Sequence, residues 1–593
     1  MTGRWHFAPA VLQPNSLVQG KRKIPWWRIL IIGAVAGCLQ LAGGMDTAFA
    51  QNIDPGVLQQ RLIQQRPRPK ATAPIPIPET VRPGPPPGSE RIRFVLNEVQ
   101  LFGNEALPAE EFRPLWSKMV GREISIIDLY EIAALVTVFY RSKGYILSRA
   151  IVPPQEIENG VVEIEVIEGF IDNVVIEGDA DASAFQIKRK IDGIKASKPL
   201  HVRDIERYLL LLNDLPGVSV ASVVRPSLLT PGASELVIIM EETPVSGSLS
   251  LDNLGTRFIG PFEQSVTLRF SNLFDVYDST DFRIVKAHNN GVKGPRELRF
   301  FSVSHSELLT AEGTTISLIG SRILTNPRST LKVLEIEGRS TQLAVSLTHP
   351  FVRSRSENFA VRIGLTYLDS EIETRGDLTQ DDRTRWWNVL ASSDFVDQFR
   401  GVNLLQLEYQ QGINIFGNRK SSREDAVSRV NGRSDFSLLT ADILREQDLG
   451  LGWSLLAEIS GQYSFSQLLA AQEFGFGGSQ FGRGYDPSEI SGDSGIASKL
   501  ELRFGRGTDL DFLETYQLFG FIDFGAVWRI DKDRLPGGVR DSAYSGGVGV
   551  RVNFSPKVFG SLEIAQPLSR RPTSSRDDLK RQPTLLFRIT SRM

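Results

Sequence analysis

Phe359-Ala360-Val361-Arg362-Ile363-Gly364-Leu365-Thr366-Tyr367 decides the fold of this chain. Every odd position is large and apolar, and every even position is small or polar. Successive side chains of a strand point to opposite faces, so the stretch reads as a strand with one dry side and one wet side. Lys499-Leu500-Glu501-Leu502-Arg503-Phe504 and Gly547-Val548-Gly549-Val550-Arg551-Val552-Asn553-Phe554 repeat the pattern. A soluble sandwich alternates too, and the polar side separates the two cases. Arg362, Glu501, Arg503, Arg551 and Asn553 share a face with glycines, as a hydrated bore requires, and the other face is almost wholly aliphatic or aromatic, as lipid requires. The texture holds from Pro244 onward. At about ten residues per strand plus turns, residues 245–593 fit about 16 antiparallel strands. Closing them into a barrel removes sheet edges that hydrocarbon does not tolerate. Trp528 and Tyr367 near strand ends suit interfacial belts. The fold class is therefore mainly β, a 16-stranded antiparallel transmembrane β-barrel.

Upstream, the order β-α-α-β-β occurs twice, over 91–169 and over 170–244. In the first unit, Phe94 to Phe102 reads as a strand and Pro108 to Met119 as a helix. A second helix runs from Ile127 to Lys143, with Asp128 near its start and Gly144 closing it. Tyr145 to Val152 and Val161 to Ile167 read as strands. In the second unit, Ile171 to Glu177, Val218 to Val224 and Leu236 to Glu241 are strands, and Ala182 to Ile191 and Val202 to Asn213 are helices. A three-stranded sheet of this layout leaves Tyr145 to Val152 at an edge, where open backbone groups can pair with an extended segment. Asp128, Arg141, Tyr145, Ile146, Ser148 and Ala150 are the candidate residues for such docking. Arg203, Arg207 and Tyr208 read as a solvated helix face.

The N-terminus reads as an export signal over 1–50. Basic residues Lys21, Arg22, Lys23 and Arg28 precede an apolar run from Ile29 to Ala42, and Ala48-Phe49-Ala50 offers a cleavage site. Val35-Ala36-Gly37-Cys38 offers an alternative, lipoprotein-type processing site. A short helix follows over 51–65, with Asp54 as N-cap and Pro55 in its first turn. Its weak apolar stripe comprises Val57, Leu58, Leu62 and Ile63, with Arg61 beside them. Residues 66–90 are so rich in proline that they form an extended tether, which lets that helix dock far from the unit that follows.

Charge is balanced, with 67 basic and 69 acidic residues, and gives no reason to expect nucleic acid. The one cysteine, Cys38, lies in the leader, which excludes disulfides and thiolate metal sites from the mature chain. The five histidines do not cluster, and neither a phosphate-binding loop nor a nucleophile elbow occurs. No enzyme, metal or cofactor is expected.

Phe481-Gly482-Arg483-Gly484-Tyr485 and Phe521-Ile522-Asp523-Phe524-Gly525 stand out within the barrel region. Strand parity puts Phe521, Asp523 and Gly525 on the lumen face. Arg483 in a loop and Asp523 on the wall are natural partners in a pore of low dielectric. If they touch, exchanging the two charges is expected to restore part of what either single change removes.

The ordered series of motifs resembles the two-partner secretion outer-membrane transporters (TpsB; ShlB/FhaC/HecB), within the BamA-like superfamily. It comprises Phe139-Tyr140-Arg141-Ser142-Lys143-Gly144-Tyr145, Leu251-Asp252-Asn253-Leu254-Gly255-Thr256-Arg257 and His349-Pro350-Phe351-Val352-Arg353-Ser354-Arg355. Gly477-Gly478 through Arg483-Gly484-Tyr485 to Gly492-Asp493-Ser494-Gly495 completes it, with the Phe521/Asp523/Gly525 partner. Gly482 stands where the superfamily pattern has Val, and the chain ends in Met593, with Leu585, Phe587 and Ile589 left to serve as the insertion signal. The resemblance implies that 51–65 is a plug helix and that the two repeated units are polypeptide-transport-associated (POTRA) domains. It implies a Gram-negative outer-membrane location with the POTRA domains in the periplasm. The implied partners are the lipid bilayer, a secreted client of the large exported β-helical kind with hemolysin or adhesin activity, periplasmic chaperones and the barrel-assembly machinery. Function is then secretion of an unfolded client through the barrel without ATP. An assembly insertase of the same superfamily and a passive porin-like channel are the alternatives.

Overall fold

The computed structural model describes residues 54–63, 69, 85–178, 184–227, 230, 232–274, 276–289, 296–328, 331–418, 426–429, 431–530, 540–569 and 582–593. The expected export signal, with both of its processing positions, lies outside the described residues, as does most of the Pro-rich stretch.

Sixteen antiparallel strands close a barrel in chain order, from Val245–Asp252 to Thr584–Arg592. The alternation of the sequence is the inside–outside alternation of the wall. Ile363, Leu500, Leu502 and Val548 stand exposed on the outer surface, while Glu501, Asp523 and Ser545 are buried within. The three longest strands, Ile336–Arg353, Glu357–Thr374 and Asp377–Val396, are consecutive. The last strand closes on the first through five residue pairs only, Arg588↔Asp252 to Arg592↔Ser248, and an Arg588–Asp252 ion pair of 3.0 Å fixes that register. The strand-leading Val245 follows the second repeated unit directly, so that unit marks the near end of the barrel. The lumen is not uniformly wet. Val285, Ala287, Leu298, Phe300 and Ile323 face inward near the far end and form a dry patch with helix α1 (Pro55–Ile63).

In the first repeated unit the expected strand Phe94 to Phe102 breaks at Leu96-Asn97 into Arg93–Val95 and Glu98–Phe102. The break is a change of partner. Arg93–Val95 pairs with Glu123–Ser125, and Glu98–Phe102 pairs in parallel with Val161–Ile167. Buried Leu96 donates to Arg122 and accepts from Gly121, while Asn97 donates to Gly160. The helix expected over Pro108 to Met119 is instead two 3₁₀ turns, Ala109–Glu111 and Arg113–Leu115. Pro114 has no N–H to give to a longer helix, and Phe112 and Trp116 are buried by the tighter turns. Helix α2 (Ile126–Ser142) follows, opened by a reciprocal cap between Ser125 and Asp128. The strand expected over Tyr145 to Val152 is only Arg149–Ile151, at one edge of a three-stranded sheet.

The second unit repeats the plan. Phe170–Gly178, Ala233–Glu242 and Val218–Pro226 form its sheet, covered by α3 (Phe185–Ala196) and α4 (Val202–Asn213). Val202 N–H donates to the Gly144 carbonyl at 2.8 Å and Leu200 N–H to Gly169 at 2.8 Å, which fuses the two units. The barrel grips α4. Arg353 forks onto the Asp214 carboxylate at 2.8 and 3.0 Å, and Arg355 meets Glu206 at 2.9 Å. Arg207 and Tyr208 reach Glu312 in a barrel turn, so they form a docking face and not the solvated face that their spacing implies.

Buried Lys190 of α3 sits at this junction, and burial lowers its pKa to about 8, an effect that Glu312 and Asp214 partly offset. Between that pH and the unfolded value of about 10.4, the unfolded chain holds a proton that the folded chain lacks, so stability rises with pH. The second unit is expected to gain stability from pH 8 to about 10, by at most about 3 kcal/mol. Lys190→Met should raise the melting midpoint at pH 7 and flatten the slope. Helix ellipticity melts of the detergent-solubilised protein test this, and equal slopes in both proteins would refute it.

Candidate functional site

The segment between strands Trp453–Ser464 and Ser494–Leu510 turns into the lumen from the far end. A small hairpin, Phe474–Phe476 with Ile490–Gly492, stiffens it. Phe476, Phe481, Tyr485 and Ile490 pack against wall residues Ala497, Val527 and Ala543, so the segment carries its own apolar core into the bore. Its base is tied by Asp493, which is fully buried. Asp493 accepts from Arg429 at 2.6 Å and from the backbone N–H of Leu468 and Ile530. Arg429 also pairs with Glu473 at 2.8 Å.

At the tip, Arg483 meets Asp523 as the sequence leads one to expect, and far more besides. Its Nε and Nη2 donate to the two carboxylate oxygens of Asp523 at 3.0 and 2.8 Å. Its Nη1 donates to Glu501 at 2.6 Å, with Glu563 at 3.5 Å. The guanidinium lies 3.4 Å from the ring centre of Phe521, which gives that wall residue a part as a cation–π platform. Asp523 also accepts the backbone N–H of Gly482 and Arg483 at 3.1 and 3.0 Å. Glu501 in turn accepts from Arg503 and Arg551, and Arg551 stacks on Phe519. Strand parity places Glu501, Phe519 and Arg551 on the lumen face. Only tertiary structure makes them one network with Arg483.

This geometry argues against the partial restoration that the sequence alone leads one to expect from a charge exchange. An Asp at 483 would face Glu501 and Glu563, and an Arg at 523 would lose both backbone donors. Tyr485 completes the motif: its hydroxyl donates to the Tyr544 carbonyl at 3.1 Å and lies 3.1 Å from the Ser569 hydroxyl. Gly482 has φ +81°, a conformation that a β-branched residue adopts only under strain, so the departure from Val has a backbone reason. Gly525 leaves room for Phe476, whose ring a Cβ there would strike at 2.1 Å, and Gly484 lies against the backbone of Gln566 and Pro567.

Helix α1 occupies the same lumen. Asp54 caps it by accepting from Gly56 and Val57 at 2.8 and 3.1 Å, and Gln380 reaches the same carboxylate. Leu58 and Leu62 fill the dry patch on the wall. Gln59 donates to Ser321 Oγ at 2.7 Å, Arg61 pairs with Glu263, and Arg283 donates to the Leu62 carbonyl at 2.5 Å. The helix is thus held by a modest apolar contact and a few polar bonds.

The docking candidates of the first unit scatter. Asp128 is engaged in the cap of α2, and hydrogen bonding from the Ser125 backbone N–H holds its carboxyl below the usual range. Arg141 lies in the last turn of α2. Tyr145 packs edge-on against His201, and Ile146 joins the core of the second unit, so both serve the junction. Ser148 is buried and accepts from Gly169. Ala150 alone of the six lies in the edge strand, and its N–H donates to Thr137 Oγ1 of α2 at 2.9 Å.

The family model for haemolysin secretion/activation protein ShlB/FhaC/HecB matches residues 232–552, and that for the ShlB-type POTRA domain matches 94–169. The heme/hemopexin transporter protein HuxB of Haemophilus influenzae is 23% identical over 525 residues, 86% of this chain and 90% of that one. The outer membrane transporter CdiB of Escherichia coli O6:K15:H31 is 26% identical over 534 residues, covering 86% and 85%. Among solved structures, CdiB from Escherichia coli superposes with a TM-score of 0.67 at 22% identity, over 87% of this chain and 93% of that one. CdiB from Acinetobacter baumannii gives 0.59 at 17%, over 96% and 98%. At those identities the likeness of the structures is one of fold.

Arg483→Met leaves the buried Asp523 without its cation and is expected to cost about 3–5 kcal/mol. The readout is the temperature at which the compact barrel loses its fast gel mobility. Arg483→Lys should recover only part of that, because a point ammonium cannot fork onto Asp523, reach Glu501 and lie flat on Phe521 at once. Full recovery by Lys would sink the fork as the source of the effect.

Proposed function

The chain belongs to the haemolysin secretion/activation family ShlB/FhaC/HecB and is an outer-membrane translocator of the two-partner secretion type, and we propose the route by which its client crosses. It sits in the Gram-negative outer membrane with its POTRA units in the periplasm, so the near end of the barrel is periplasmic and the far end faces out. The observation that carries the proposal is the unequal hold on the two bodies inside one lumen. The inward segment is locked by Arg483, Asp523, Glu501 and Phe521. Helix α1 rests on two leucines and a few polar bonds, at the end of a Pro-rich tether.

Helix α1 is the part that leaves, and the inward segment is the part that stays and shapes the bore. The client arrives unfolded and lays an extended segment along the edge strand Arg149–Ile151 of the first POTRA unit, beside α2. Asp128, Arg141, Tyr145, Ile146 and Ser148 act there by holding the edge, its helix and the junction in place. Ala150 offers the backbone, once its N–H leaves Thr137. The client is an exported exoprotein of elongated β-helical form. Among the relatives, HuxB carries the name of a heme/hemopexin transporter and CdiB that of an outer membrane transporter. Client folding outside the cell supplies the drive, and no nucleotide is consumed. Periplasmic chaperones and the barrel-assembly machinery deliver the translocator itself, reading Leu585, Phe587 and Ile589 of the last strand.

Removing residues 54–63 should raise single-channel conductance in planar bilayers several-fold, and Leu58→Asp with Leu62→Asp should do the same with the tether intact. Unchanged conductance in both would refute plugging by α1. Secretion of a co-reconstituted client into vesicles should proceed without nucleotide, and a strict requirement for added ATP would end the claim about the drive. A photoreactive residue at Ile151 should capture the client in the periplasm, and capture only at sites on the second unit would move the dock there.

A further inference from the structure

The outer wall carries charges that the translocation route does not use. Val285, Ala287, Leu298, Phe300 and Ile323 face α1, so the residues between them in sequence face lipid. Those residues include Lys286, Arg299 and Arg322. Lys286 lies directly opposite Arg299 across the strand pair, and Arg322 lies opposite Phe301, one diagonal step from Arg299. Like charges directly opposite each other destabilise a sheet. None of the three has an ion pair or hydrogen bond among the described residues. The next strands behave differently. There the lipid-facing Arg339 pairs with Glu371 and Glu373, Arg383 with Asp381, and Arg385 with Asp369. Outward arginines on these neighbouring strands are thus neutralised by acids, and the Lys286, Arg299 and Arg322 cluster is not.

Its depth is informative. Lys286 stands two residues from the outer end of Ser279–His288, and Arg299 and Arg322 stand three residues from the outer ends of Arg296–Leu308 and Thr315–Thr325. At about 3.3 Å per residue each stands within about 10 Å of the outer end of its strand, on the outer-leaflet side of the wall. Two residues deeper, the next row is Val303, Gly320, Leu343 and Tyr367. Here the wall is indented into a groove of about 460 Å³, with Leu318, Val345 and Leu365 along its length and Phe416 folded over one side. The floor is Gly320, whose missing side chain makes the depth. A Cβ there would meet only Leu343 Cδ2, at 3.5 Å, so nothing in the protein requires a glycine at this point of the strand.

An unpaired cation cluster toward the outer ends of its strands, directly above an apolar groove, matches one chemistry, a phosphate ester carrying acyl chains. We propose that this wall is a binding site for a phosphorylated, multiply acylated glycolipid of the outer leaflet, its phosphate held by Lys286, Arg299 and Arg322 and one acyl chain lying over Gly320. The inner faces of these same strands form the dry patch under α1. A lipid bound outside therefore braces the wall that holds the helix inside.

The test is native mass spectrometry of the full chain in detergent with added diphosphoryl lipid A. The wild-type chain should retain one lipid, and K286Q/R299Q/R322Q should bind at least tenfold more weakly while keeping compact gel mobility. Gly320→Phe should weaken retention by filling the groove with the cations intact. Fully dephosphorylated lipid A should not be retained by the wild-type chain, a comparison that needs no variant to fold. Equal retention of the dephosphorylated lipid, or undiminished binding by the triple variant, would overturn the site. Displacement of the lipid by millimolar inorganic phosphate would also overturn it, by assigning the cations to the free anion.

Discussion

Hydrocarbon accepts no unpaired backbone N–H or C=O, and the rest of this molecule follows from that constraint. A sheet can satisfy it only by closing, and sixteen strands close around a bore too wide for their own side chains to fill. The bore must then hold water or something else. Here it holds a nine-residue helix on one wall and an inward-folded segment on another. Each is matched by a local change in the wall. Beneath α1 the lumen face turns apolar, with Val285, Leu298, Phe300 and Ile323, and beneath the inward segment it turns strongly charged, with Glu501, Asp523 and Arg551.

Those two docks differ in kind. A buried ion pair rarely adds much net stability over an apolar contact, because both charges lose water. What it adds is intolerance of displacement: moving Arg483 away would strand Asp523 in a dry site with its backbone donors withdrawn as well. The apolar contact under α1 has no such penalty, since Leu58 and Leu62 lose only buried area when they leave. The two bodies are thus held by different balances of interaction: buried charge dominates at Arg483, while α1 combines its leucines with one ion pair, Arg61–Glu263, and several hydrogen bonds. The lipid side shows the same economy. Arg339, Arg383 and Arg385 are silenced by acids, while Lys286, Arg299 and Arg322 are left open to the leaflet.

At the near end, the barrel and the POTRA units are joined through side chains and not by adjacency alone. Arg353 and Arg355 extend from one strand terminus to α4, and Arg207 and Tyr208 extend back to Glu312. The two POTRA units are fused through Gly144, Gly169, Tyr145 and His201. The first unit is therefore held in a fixed position relative to the mouth of the bore.

Period-two alternation in stretches such as Phe359 to Tyr367 was enough to determine the barrel, because lipid and water select side chains on opposite faces with little regard to neighbours. Parity likewise placed Asp523 inside, and Asp128 marked the start of α2. Where neighbours decide, local pattern failed. The strand Phe94 to Phe102 split because two different partners claimed its halves, and Pro114 with buried Phe112 and Trp116 turned an expected helix into 3₁₀ turns. Arg207 looked solvated because nothing in sequence announces a partner about a hundred residues away. The joining of Arg483 to Glu501 and Glu563, the dry patch under α1 and the pairing of some outward arginines but not others were settled by tertiary structure alone. Each depends on which strands stand side by side once the sheet has closed, and that order is a property of the cylinder, not of any one of its staves.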